Sequence, residues 1–341
     1  MVTISVCMIV KDEERVLARC LDSLKEIADE IIIVDTGSVD RTKEIASNYT
    51  EKIYDFKWGD DFSAARNYAF SKATMEYIYS ADADEVLDEE NRRQFLLLKQ
   101  VLDPQIEIVQ MYYANQLEHG TVYNFDREYR PKLYKRLRQF VWEEPLHEAV
   151  RLSPVIFDSD IEILHLPEQC HAKRDFSGYQ KTIRRDGELS PKLLSMYARE
   201  LFVSGEKEDF LEAEEYFTKV VHTGNPEGDL LKMVECVLAK CAHLRGDVSA
   251  FFTMCLHNAA DGKASSEVCY ELGLYYREQG QIEEAYIWFA NAAFETESQC
   301  NIHYSGDWAL QRLCECAGEL GNAEEAAQYQ KMAQEWTCPE A

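Results

Sequence analysis

Short apolar runs alternate with helix-spaced segments over the first ninety residues, and this alternation constrains the fold more than any other feature of the chain. Ile4 to Val10, Glu30 to Val34, Ile53 to Phe56 and Tyr77 to Ser80 read as strands. Between them, Val16, Leu17, Cys20, Leu21 and Leu24 recur at helical spacing, Asp40 is placed to cap a helix running to about Asn48, and Phe62 to Ala73 forms another helix. Strands separated by helices predict a doubly wound α/β unit with a mostly parallel sheet. Ligands of such sheets bind outside the carboxyl ends of the strands, where this chain places polar turns. From Glu107 to Leu166 strand-like segments follow one another without clear crossover helices, which predicts an appended, partly antiparallel half of the same domain.

Beyond about Lys192 the pattern is almost wholly helical and repeats. Gly246, Gly280 and Gly321 share one register, with Glu208 in a looser first copy, and the interval between the first two glycines is 34 residues. The copy carrying Leu272, Gly273, Tyr276, Gly280, Ala285, Phe289 and Ala292 has the spacing of a tetratricopeptide hairpin. The copy after it starts late, so Ser298 to Gly306 reads as an inserted loop. Stacked hairpins of this kind form a solenoid whose concave face holds an extended peptide, although such an array also packs on a neighbouring domain or dimerises.

Charge narrows the partners. With Lys+Arg 36 against Asp+Glu 62 the net charge is -26, which disfavours nucleic acid and anionic membranes. The eleven cysteines have no zinc spacing and read as reduced, many of them (Cys236, Cys241, Cys255, Cys269, Cys314, Cys316) as small apolar residues within helix-like runs. Met1 to Val10 lacks a basic leader, and no stretch reaches the roughly 18 apolar residues of a membrane span. A cytoplasmic protein without membrane insertion is expected.

Four polar elements stand at the strand ends: Val10-Lys11-Asp12-Glu13-Glu14, Val34-Asp35-Thr36-Gly37-Ser38-Val39-Asp40, Ala64-Ala65-Arg66-Asn67 and Ala81-Asp82-Ala83-Asp84-Glu85. In this order they resemble the family 2 glycosyltransferases of GT-A fold, in particular bacterial members followed by tetratricopeptide repeats and similar to bacteriocin S-glycosyltransferases. The resemblance covers essentially the whole chain. It implies a GT-A glycosyltransferase domain over 1–170, a linker or basic lid over 171–192 carrying Lys173, Lys181, Arg184 and Arg185, and tetratricopeptide-like repeats over 193–341.

A nucleoside diphosphate sugar loses a highly charged diphosphate, so Mn or Mg on hard oxygen ligands is expected. By the resemblance, Asp84 binds the metal directly and Asp82 contacts it through water or reaches the ribose. Asp35 would accept from the uracil N–H, with Val10 and Glu14 lining the base pocket and Arg66 on base or phosphate. His165 would complete the metal set, with His147 as the competing ligand. Inverting transfer needs a general base; in Val141 to Glu148 the resemblance points to Glu148, oriented by His147, with Glu144 as the alternative. Asp82, Asp84 and Glu85 also repel one another unless a cation lies among them. The activity implied is transfer of a hexose from a UDP-sugar to a peptide or protein acceptor recruited by the repeats. A cell-surface glycan or lipid-linked acceptor, and a peptide-binding adaptor with an inactive sugar domain, are the alternatives. The repeats would also serve a homo-oligomer.

Overall fold

The computed structural model describes residues 1–114, 127–138, 142–143, 149–150, 154–166, 172–224 and 226–337. They divide into two compact units, the second beginning at Ala172.

The first unit carries β1 (Ile4–Val10), α1 (Leu17–Leu24), β2 (Glu30–Asp35), α2 (Thr42–Ala46), β3 (Ile53–Asp55), α3 (Phe62–Lys72), β4 (Tyr77–Ala81), β5 (Glu85–Val86), α4 (Glu89–Val101), β6 (Ile108–Ala114), β7 (Arg127–Lys135), β8 (Trp142–Glu143), β9 (Ala149–Val150) and β10 (Ile156–His165). Eight strands form one mixed sheet in the order β3-β2-β1-β4-β7-β6-β10-β5, and β8 pairs with β9. The expected parallel half is present: β1 lies between β2 and β4, parallel to both, and β3 continues it beyond β2. Antiparallel β7 joins this half to β6, which runs parallel to β10.

Strand side chains alternate between two apolar cores. Val6, Met8, Ile33, Tyr79, Met111 and Leu133 meet Leu17, Leu21 and Phe95 on one face. Cys7, Ile32, Val34 and Ile78 meet Ala69 and Phe70 of α3 on the other. Burial on both faces explains the unbroken apolar runs of β1 and β2, each large side chain contributing about 1.5–3 kcal/mol. Asp61 caps α3 by accepting from Ala64 N at 3.0 Å, and Asp88 caps α4 by accepting from Asn91 N at 2.8 Å.

The second unit is helical: α5 (Ala172–Asp186), α6 (Pro191–Ser204), α7 (Lys207–Lys219), α8 (Gly228–Arg245), α9 (Val248–Asn258), α10 (Ser266–Glu278), α11 (Ile282–Ala290), α12 (Asp307–Glu319) and α13 (Ala323–Glu335). Consecutive helices from α6 onward are joined pairwise by turns at Gly205, Gly246, Gly280 and Gly321. The last three glycines have φ of 75°, 74° and 84°, the left-handed conformation that ends a helix without a Cβ penalty. The first turn falls at Gly205 rather than beside Glu208, because Glu206 and Asp209 form a capping box that fixes the start of α7. Residues 172–186, expected within a linker or lid, are helical instead. Phe176 and Tyr179 lie one turn apart and are both buried, and Lys173 pairs with Glu206 and Asp209 at 2.9 and 2.7 Å.

The stretch 298–306, expected as an inserted loop, contains only a single 3₁₀ turn, Ile302–Ser305. Its entry is held by Glu267, whose buried carboxylate accepts from Cys300 N at 2.7 Å and from Gln299 N and Asn301 N. Among the described residues no helix is long and apolar enough to cross a membrane.

Candidate functional site

The carboxyl ends of β1, β2 and β4 bring three of the four polar elements to one edge of the sheet, and α3 delivers Arg66 of the fourth. Asp35, the last residue of β2, is 1% exposed. Its Oδ1 accepts from Gly37 N at 2.9 Å and Ser38 N at 3.0 Å, closing a turn in which Gly37 takes φ 110°. Its Oδ2 is buried without a hydrogen-bond partner. A buried carboxylate oxygen left unsatisfied is costly, so it marks a place where a donor belongs. Beside it, Val10 is buried and its carbonyl accepts from Thr36 N at 3.0 Å. Glu14 is exposed and stitches neighbouring loops: its N–H donates to Asp40 and its carboxylate accepts from Arg41 N, both at 3.1 Å.

The acidic turn after β4 is held from several sides. Arg66 Nη1 donates to Ser80 Oγ at 2.5 Å and Nη2 to Asp82 Oδ1 at 3.3 Å. Lys132, 6% exposed, pairs with Glu85, lies 3.7 Å from Asp82 Oδ2 and donates to Ser80 O at 3.4 Å. Glu85 in turn accepts from Asp82 N at 3.2 Å. Burial alone would raise the Asp82 carboxyl, but the charges of Arg66 and Lys132 outweigh it and hold the group well below the usual carboxylate range. Glu85 is pushed up to about 7 by burial, with Lys132 pulling it back and Asp82 adding to the rise.

Asp84 and His165 face each other, His165 Nε2 lying 3.1 Å from Asp84 Oδ2. Their approach follows from the sheet: β5 pairs with the end of β10 with His165 opposite Glu85, and Leu166 N donates to Asp84 O at 3.0 Å. Buried Tyr113 on β6 backs the pair, its ring 5.2 Å from that of His165 and 4.0 Å from the Arg130 guanidinium.

Among the described residues no three His, Cys, Asp or Glu side chains form a group that could hold a metal ion. Asp82 is turned instead toward Arg66 and Lys132. The repulsion expected within the acidic turn is offset at Asp82 and Glu85 by these internal cations. Asp84 and His165 still offer an oxygen and an imidazole nitrogen side by side, a donor pair that suits Mn or Mg when water and phosphate oxygens complete the shell. Glu144, His147 and Glu148 lie outside the described residues. Lys132 escaped the sequence reading, although Pro131 inside a strand is a signal of an irregular ladder.

Residues 5–162 match the profile of glycosyl transferase family 2. The SPbeta prophage-derived glycosyltransferase SunS of Bacillus subtilis is 28% identical over 252 residues, 71% of this chain and 58% of that protein. A TPR repeat-containing protein of Synechococcus elongatus is 52% identical over 87 residues, 26% of this chain and 22% of that protein. The chain thus spans less than two thirds of the length of either relative. Glucosyl-3-phosphoglycerate synthase from Mycobacterium tuberculosis, crystallised with Mn2+ and UDP-glucose, aligns with a TM-score of 0.40 and 13% identity over 55% of this chain and 80% of that one. The similarity to glycosyl transferase family 2 thus lies in residues 5–162, within the first unit.

Proposed function

We propose that the chain is an inverting hexosyltransferase that takes its sugar from a UDP-hexose, and the observation that carries this reading is the buried, partnerless Oδ2 of Asp35. The imide N–H of uracil supplies the donor that this oxygen lacks, while Val10 and Glu14 border the same turn. Asp84 and His165 hold Mn or Mg, with Asp82 reaching the ribose or a metal-bound water. The cation supplies positive charge where the departing diphosphate develops negative charge. Arg66 orients Asp82 and adds to the positive potential facing the phosphates. Glu148, oriented by His147, or alternatively Glu144, takes the proton from the attacking acceptor group.

Residues 1–170 form the catalytic domain. The helix pairs from α6 to α13 are tetratricopeptide repeats that recruit a peptide or protein acceptor. Close packing of Gly273 against Phe289, where an added Cβ would lie 2.6 Å from the ring, supports the repeat assignment. The nine free thiols among the described residues suit the reducing cytoplasm.

Calorimetric titration of the full chain with UDP, with and without Mn2+, tests this reading alongside Asp84→Ala. Binding that requires both Mn2+ and Asp84 is expected, with transfer slowed at least about 10²-fold in the variant. No UDP binding under any condition would replace this reading with the adaptor, whose peptide binding is indifferent to UDP and Mn2+.

A further inference from the structure

Lys132 comes to the acidic turn through an irregularity of the sheet. Between β6 and β7 the ladder passes from Val109 opposite Leu133 to Gln110 opposite Pro131, so Lys132 has no residue opposite it on β6. A bulge of this kind admits proline, which has no N–H to give the ladder, and breaks the alternation of side chains. Its effect is visible three residues apart. Leu133 enters the core shared with α1 and α4, and Arg130 stacks on Tyr113 of that same core. An unbroken strand would send residues 130 and 133 to opposite faces. The displaced lysine lies under the turn, 5.2 Å from the centre of the Tyr113 ring and against Glu85 and Asp82.

We propose that the β7 bulge makes Lys132 a positioning residue for the donor: an internal counter-ion that holds Asp82 and Glu85 and sets the charge against which cation and diphosphate bind. This rests on the donor-site reading above. The acidic turn contributes three carboxylates, Asp82, Asp84 and Glu85, and Lys132 cancels one negative charge at a point buried from screening solvent. Such a charge acts with opposite sign on the two components of the donor complex. It opposes the cation and favours the diphosphate, whereas a residue needed only for folding would affect both in the same direction.

The test uses the full chain at pH 8. Mn2+ binding is followed by electron paramagnetic resonance, and UDP binding by calorimetry at saturating Mn2+. Lys132→Gln keeps a hydrogen-bond donor but removes the charge; it is expected to bind Mn2+ more tightly and UDP roughly tenfold more weakly. Lys132→Arg restores the charge and should keep both affinities within about threefold of the parent. Glu85→Gln removes a negative charge instead and should shift both affinities in the reverse directions, which keeps the proposal testable if Lys132→Gln does not fold. Unchanged affinities in Lys132→Gln or Glu85→Gln, or a parallel loss of both in either folded variant, would overturn the role of Lys132. A parent protein that binds no UDP would instead overturn the donor-site reading beneath it.

Discussion

Both units bury carboxylates, and they treat them differently. In the second unit Glu267 receives three backbone N–H groups; Glu271 Oε1 makes no hydrogen bond but has the Lys240 ammonium 3.1 Å away, and His243 Nδ1 lies 2.7 Å from Oε2. These charges are occupied in holding helices and a loop together. In the first unit Asp35 keeps one oxygen without a partner, and Asp84 meets a histidine that is itself able to ligate a cation. A buried acid whose oxygens are each met by a donor or an internal cation is a structural element, whereas one with an oxygen met by neither points to a ligand. The Lys132 and Arg66 contacts show the same unit using internal cations to keep its acidic turn in place.

Substitutions can break or sharpen this contrast. Glu267→Ala strands three N–H groups, two of them buried, and should cost about 3 kcal/mol, since each buried unsatisfied group costs about 1–3 kcal/mol and relief of the buried charge offsets only part. Chemical denaturation measures this, and UDP binding by the folded variant should stay unchanged. Gly273→Ala drives a methyl into the Phe289 ring and should lower stability by about 1–3 kcal/mol. An unchanged unfolding midpoint would remove the close-packing argument for that helix pair.

Asp35→Asn should leave the turn intact, because Oδ1 can still accept from Gly37 and Ser38, but it presents an N–H where the nucleobase would donate. UDP affinity is expected to fall roughly tenfold by calorimetry, with no loss of stability. A stability loss without an affinity change would make Asp35 resemble Glu267. The smallest effect concerns His243. Burial lowers its pKa, but the hydrogen bond and charge of Glu271, then Glu278, outweigh this and raise it. With the folded pKa above the unfolded value near 6.5, this stabilisation is complete below that value and is lost as pH rises through the folded pKa. The unfolding midpoint should therefore decline modestly from pH 6 to pH 8, and less so in His243→Gln.

Much of this was legible in the chain because it is local. Apolar runs fixed by burial on two faces marked β1, β2 and β4, and glycines at left-handed turns marked three of the helix pairs. Asp35 and Asp84 could be placed at strand ends because a strand end and its turn are contiguous in sequence. The helix at 172–186 was missed because basic residues masked the spacing of Phe176 and Tyr179. The direction in which Asp82 points was missed for a different reason, since its partners come from other elements.

By itself, then, the sequence determined the α/β class of the first unit, the helical periodicity of the second and the polar turns at the strand ends. Tertiary structure decided which charges meet. Lys132 lies 47 residues from Glu85 in the chain, and His165 lies 81 from Asp84. They become neighbours because β7 inserts beside β4 with a bulge and β10 returns to pair with β5. Burying both faces of the sheet selects that strand order, and no spacing along the chain encodes it.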